Sequence, residues 1–173
     1  LIGQTISEYF LAVVEQFPEQ EAVVSLPQQR RLNYREFSDA TDKLARGLLG
    51  LGFNKGDRIG IWSTNNIEWL LVQMATARIG AILVNINPAY RPRELAYALE
   101  RSEVQGLFVI PRFCSSDYVA MLQELVPELQ KNDNEITAKT LPKLRRVVLY
   151  DPADAMHTKV PSPGFTSWQE VMQ

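Results

Sequence analysis

The chain has 173 residues, 46% hydrophobic and 22% charged, a composition that builds the packed core of one domain and excludes disorder. Eighteen Lys and Arg side chains against twenty Asp and Glu leave a net charge of −2, so no cationic excess exists to displace counterions from nucleic acid or to hold an anionic membrane as the main partner. The single cysteine, Cys114, excludes an intramolecular disulfide and makes the reducing cytoplasm the expected compartment.

Apolar residues at Ile6, Phe10, Val13, Val14 and Phe17 recur at helical spacing behind a Thr5/Glu8 capping box, and Pro18 stops the helix. Glu21 to Leu26 reads as a strand, residues 27–30 as a turn, and Arg31-Leu32 as a short return strand. Asn33 with Glu36 opens a second helix, with Phe37, Ala40, Leu44, Leu48 and Leu51 facing inward and Gly52 just past its end. Arg58 to Trp62 is a short apolar strand, followed by a polar loop over Ser63 to Asn66. Asn65 and Glu68 are the expected caps of a third helix, which Gly80 closes.

Ala81 to Ile86 is again a strand. Pro92 stands where a proline starts a helix, with Leu95, Ala98 and Leu99 inward. Gly106 to Ile110 is a strand, and a helix is expected from Ser116 to Leu125. Gln130 to Lys143 reads as a polar surface excursion, Arg146 to Tyr150 as a strand, and 151–165 as proline-rich loop before a final helix capped by Thr166 and Gln169. The longest apolar runs, Trp69 to Val72 and Ile79 to Val84, fall far short of the roughly 20 residues that cross a bilayer. No basic stretch followed by an apolar one marks a signal peptide, and the absence of a starting methionine suggests a piece of a longer chain.

Strand and helix alternate from Arg58 to Tyr150, and the strands are largely apolar. This predicts an α/β fold with a mainly parallel sheet flanked by helices on both faces. The chain carries no G-x-x-x-x-G-K-[ST], no G-x-G-x-x-G after a strand and no H-E-x-x-H, which disfavours a nicotinamide-dependent oxidoreductase. The glycines at 47, 50 and 52 end a helix rather than open one, so packing and capping explain them better than phosphate binding. His157, alone of its kind, has no ligand-spaced partner in the sequence, and Cys114 has no nearby base. Trp62, Trp69 and Trp168 read as core, and Arg91, Arg93 and Arg101 as a solvated helix face.

Ligands of open α/β sheets approach the carboxyl ends of the strands. Those ends are Ser63 to Asn66, Asn87-Pro88-Ala89-Tyr90 and Pro111 to Cys114. The second pairs a rigid proline with an amide and a phenol, and the third places Arg112 where a phosphate could sit. Ordinary turn chemistry also accounts for each.

The order of these pieces is more specific than the pieces. Leu32-Asn-Tyr-Arg-Glu-Phe37 ahead of a long helix resembles the Leu-Thr-Tyr-x-Glu-Leu signature of the AMP-forming adenylate ligases. Lys55-Gly-Asp-Arg-Ile-Gly-Ile-Trp62, Asn65-Asn-Ile-Glu-Trp69 and the run from Ala75 to Val84 are similar to that family's second block. Asn87-Pro-Ala-Tyr90 with Arg93-Glu-Leu95 looks most like the branch of medium- and long-chain fatty acyl-CoA synthetases.

The resemblance implies that residues 1–173 are the N-terminal portion of an AMP-binding domain. The parent enzyme would use ATP, Mg²⁺ and CoA, joining a fatty acid to AMP and then passing the acyl group to CoA. It implies a CoA approach lined by Asn87, Pro88, Ala89 and Tyr90, with Arg112 near the CoA nucleotide. The family's Thr/Ser/Gly-rich ATP loop, ribose-binding Asp, hinge and C-terminal lysine are missing from this sequence, so the segment alone is expected to be inactive. An aryl-acid ligase and a non-catalytic scaffold module are the competing readings. An open sheet edge would also favour self-association.

Overall fold

The structure is a computed structural model that describes residues 3–131 and 136–173. Helix α1 (Ile6–Gln16) starts on the expected box, in which the Thr5 hydroxyl accepts from the Glu8 amide and the Glu8 carboxylate accepts from the Thr5 amide. An antiparallel hairpin follows, β1 (Glu21–Ser25) and β2 (Arg30–Asn33). Asn33 and Glu36 cap α2 (Tyr34–Gly50) as its sequence requires, and Gly52 adopts a φ of 82° beyond its end.

Strand β3 (Arg58–Trp62) leads to α3 (Ile67–Ile79), β4 (Ile82–Ile86), α4 (Pro92–Arg101) and β5 (Gly106–Val109). A two-residue hairpin, β6 (Arg112–Phe113) with β7 (Ser116–Asp117), precedes α5 (Tyr118–Leu125). The chain then runs through β8 (Arg146–Leu149) to β9 (Phe165–Ser167) and the single-turn α6 (Trp168–Val171).

Three caps fall one residue from their expected places. Asn66, not Asn65, accepts from the Trp69 amide at the start of α3. Asp117 rather than Ser116 caps α5, because Ser116 is held in the β6–β7 hairpin. Ser167 and Glu170 form the last capping box in place of Thr166 and Gln169. The loop expected over 151–165 gives way at Phe165 to β9, a strand too short for a periodic signal. The excursion from Gln130 is anchored by buried Ile136, Ala138, Leu141 and Leu144; its residues 132–135 lie outside the described part.

Five strands form one parallel sheet in the order β4-β3-β5-β8-β9. From β3 the chain steps one way to β4, then crosses back to β5 and continues outward through β8 and β9. Right-handed crossovers therefore place α3 on one face and α4 and α5 on the other. The packing agrees, since α1, α2, α3 and α6 form one layer and α4 packs on α5. The central strands are buried, but β4 at the edge exposes Ile82 and Asn85 and is not apolar on both sides.

Three glycines permit close approach, one of them Gly164 against the Leu129 carbonyl oxygen. An added Cβ at Gly106 would lie 2.4 Å from the Phe53 ring, and one at Gly47 would lie 1.8 Å from the Val171 carbonyl oxygen. Alanine in a helix is normally worth about 1 kcal/mol more than glycine. At position 47 that sign should reverse, because α6 backbone occupies the space. Gly47→Ala is expected to lower the stability measured by urea unfolding by roughly 1–3 kcal/mol; a gain would show that α6 does not pack there.

Candidate active-site cleft

All five strand ends that carry ligand-facing loops in an open parallel sheet lie on one side. Strand order reverses between β3 and β5, and there the space is filled by an aromatic stack. The Trp62 and Tyr118 rings lie 3.5 Å apart between centroids and only 5° from parallel, both fully buried. Open space lies to the β4 side instead. A cleft of about 720 Å³ is bounded by Ser63, Thr64, Asn65 and Trp69 on one wall and by Asn85 to Pro88 on the other.

The first wall is tied from the α3 face. The Tyr150 hydroxyl donates to Ser63 Oγ at 2.8 Å and has Asn66 Oδ1 at 3.3 Å. Ser63 Oγ in turn donates to the Thr64 carbonyl, and the Asn66 amide donates to both Ser63 Oγ and that carbonyl. The second wall is tied from the other face. Trp62 Nε1 donates to the Asn87 carbonyl at 3.1 Å, and the Tyr118 hydroxyl donates to the Pro88 carbonyl. The Asn87 side chain accepts from the Ala89 amide at 2.9 Å, closing the turn on itself.

Above the first wall sits the β1–β2 turn. Gln28 accepts from the Ile67 amide and donates to Glu68 and to the Pro152 carbonyl, while Arg30 pairs with Glu68 at 2.7 Å. Glu68 is only 2% exposed, so these donors are what make its burial tolerable. Beneath the turn an apolar groove of about 670 Å³, lined by Val24, Leu26, Ile67 and Leu70 among others, shares Asn65 and Trp69 with the cleft.

The residues expected at the site divide. Asn87 and Pro88 line the cleft, whereas Tyr90 opens onto a separate groove along α4 with Arg93, Tyr97 and Arg101. Ala89 supports the turn by its amide. Arg112 is exposed on the β6–β7 hairpin, which touches the second wall's helix through Arg91 and Ser116. Trp69 is half-buried at the cleft rather than in the core, while Trp62 and Trp168 are buried. Ser63 is marked by the sequence only as the start of the strand-end loop after β3, and Tyr118 and Tyr150 carry no distinguishing signal, because their partners lie 30 to 87 residues away. His157 has a partner after all, Asp154 at 2.9 Å, but the pair is exposed. Among the described residues no group of three or more His, Cys, Asp or Glu side chains could hold a metal ion, and no helix is long and apolar enough to cross a membrane.

A parallel sheet with a two-walled cleft beyond β3 and β4 fits the general class of open α/β folds that bind ligands at their strand ends, and a family model narrows that class. The model described as AMP-binding enzyme matches residues 10–167, so the chain belongs to the AMP-binding enzyme family. The mitochondrial medium-chain acyl-CoA ligase of Mus musculus is 38% identical over 152 residues, 87% of this chain and 25% of that protein. Among solved structures, an anthranilate CoA ligase in complex with anthranoyl-AMP superposes with a TM-score of 0.76 over 98% of this chain and 28% of that one, at 18% identity. A fatty acyl CoA synthetase of Mycobacterium tuberculosis gives 0.60 over 61% of this chain and 21% of that one, at 24% identity. These two likenesses show the fold. The chain spans about a quarter of the length of the curated relatives it matches.

Burial pushes the Tyr118 phenol up to about 12, with Cys114 adding to the rise, and burial also raises Tyr150 against a smaller lowering by Ser63 and Asn66. A phenol raised in the folded state binds its proton more tightly there than in the unfolded chain. Its stabilising contribution is therefore complete below the unfolded value of about 10 and is lost as pH climbs through the folded one. Urea midpoints are expected to fall as pH rises from about 10 to 12, and Tyr118→Phe should lose part of that fall. An identical alkaline profile in the variant would remove Tyr118 from the account.

Proposed function

We propose that these residues form the CoA-approach side of a fatty acid–CoA ligase. In the parent reaction a carboxylate oxygen attacks the α-phosphorus of ATP, giving acyl-adenylate and pyrophosphate. The CoA thiol then attacks the acyl carbon and AMP leaves. The observation that carries the reading is the Asn87–Pro88 turn forming one wall of the cleft at the strand ends. Its proline and Trp69 of the facing wall suit a narrow, uncharged pantetheine arm, and Asn65 and Asn85 supply amides for that arm's own amides. Arg112, exposed at the same end of the sheet, suits a CoA phosphate.

The family membership and the medium-chain relative support a fatty acid as the carboxylate. ATP and Mg²⁺ are assigned to the parent, but the residues described do not fit them. No acidic cluster is placed for the metal and no phosphate loop is present, so no step through either is assigned to this chain. Positioning and charge at the reacting phosphates are what such chemistry needs, so the 173 residues alone are expected to be inactive. The proposed compartment is the cytoplasm, on the single free thiol; the relative's name carries a mitochondrial location.

The test is AMP release from ATP and CoA driven by medium- and long-chain fatty acids, run on this chain and on the full-length protein that contains it. Activity confined to the longer protein is expected. Turnover with aryl acids alone would transfer the assignment to an aryl-acid ligase, and silence with every acid would favour a scaffold module.

The free edge of β4, with Ile82 48% exposed, is also proposed to pair with a second copy of the isolated chain. Native mass spectrometry should then show a dimer that Ile82→Lys disperses; a monomer at all concentrations would refute the pairing.

A further inference from the structure

We infer that Tyr118 and Trp62 are positioning residues for the thiol-bearing substrate, acting through the carbonyls of Asn87 and Pro88. The inference deepens the CoA reading above and rests on it. The turn has little to offer a ligand through its own amides. Pro88 has none, the Ala89 amide donates to Asn87 Oδ1, the Tyr90 amide to the Asn87 carbonyl at 3.1 Å, and the Arg91 amide to the Glu94 carboxylate at 2.8 Å. What the segment contributes to the cleft is shape, and shape depends on where the two carbonyls are held.

Two donors from outside the segment hold them. Trp62 Nε1 reaches the Asn87 carbonyl and the Tyr118 hydroxyl reaches the Pro88 carbonyl. Because the rings are stacked within 5° of parallel, neither can swing without displacing the other. The hydroxyl is the informative atom. Both rings are fully buried, so phenylalanine at 118 would fill the same volume and keep the stack. Among the described residues the only hydrogen bond the Tyr118 hydroxyl makes is to Pro88. A purely packing role does not need it, and leaving the Pro88 carbonyl without that donor would let the cleft wall relax.

The experiment uses the full-length ligase with Tyr118→Phe and, separately, Trp62→Phe. Two rates are measured, carboxylate-dependent ATP–pyrophosphate exchange, which needs no CoA, and CoA-dependent AMP release. Tyr118→Phe is expected to raise KM for CoA roughly three- to tenfold while kcat and the exchange rate stay within about twofold. Trp62→Phe, which removes the other donor, should shift KM for CoA in the same direction. Asp57→Asn, at the opposite end of the sheet where Asp57 pairs with Arg145, controls for lost stability and should show no such split. An unchanged KM for CoA in Tyr118→Phe, or a fall of both rates together as from a weakened fold, overturns the inference. A wild-type enzyme that performs exchange but never consumes CoA overturns the reading beneath it.

Discussion

A buried hydroxyl must find an acceptor, and in this chain that requirement shapes both walls of the cleft. Tyr150 approaches from the face covered by α3 and is spent on Ser63; Tyr118 approaches from the α5 face and is spent on Pro88. Each phenol is fully buried, and the two acceptors sit in the loops that leave the adjacent strands β3 and β4. Leaving either acceptor unpaired would cost about 1–3 kcal/mol. Loops are usually the mobile part of an α/β domain. Here both are clamped from within, which is the property a ligand-shaping surface needs.

The other end of the sheet is organised by charge instead. Asp57 accepts from the Asn54 amide, from Gln105 and from Arg145, while the Arg145 guanidinium lies 4.7 Å above the Phe53 ring and also donates to the Gly52 carbonyl. Phe53 in turn occupies the place a side chain at Gly106 would need. This network links the turn before β3 to the residues before β5 and β8, and so fixes the register of three central strands at their beginnings. With the starts fixed by ions and the ends by phenols, the sheet between them can be plain Ile, Val, Leu and Phe.

Much of this was legible in the sequence, for a physical reason. Capping boxes such as Thr5/Glu8 and Asn33/Glu36 are local, spanning three residues, and the apolar runs of β3 and β5 announce buried parallel strands directly. Adjacent like residues defeated the same logic at Asn65 and Asn66, since either asparagine can cap and only the backbone decides. β9 escaped because three residues after a proline-rich stretch show no period. Asn87 and Pro88 could be placed from their position after a strand. The groups that hold them could not, because Trp62 and Tyr118 look like any core aromatic until the fold brings them together. What lies around Arg112 and Tyr90 is set by tertiary placement that strand-end position does not encode: one sits on a hairpin and the other faces a different groove.

The tie from Tyr150 to Ser63 spans 87 residues. A contact of that sequence separation carries a large loop-closure cost and forms only after much of the intervening chain is ordered. Helix nuclei and the β1–β2 hairpin are local and can precede it. During synthesis the first wall of the cleft therefore lacks its Tyr150 tie until β8 has emerged and paired with β5, and the turn carrying Gln28, though it can meet Glu68 earlier, cannot reach Pro152 before then either. The finished first wall is thus a late product of folding, and a chain halted before Tyr150 would hold most of its helices and the second wall without that tie.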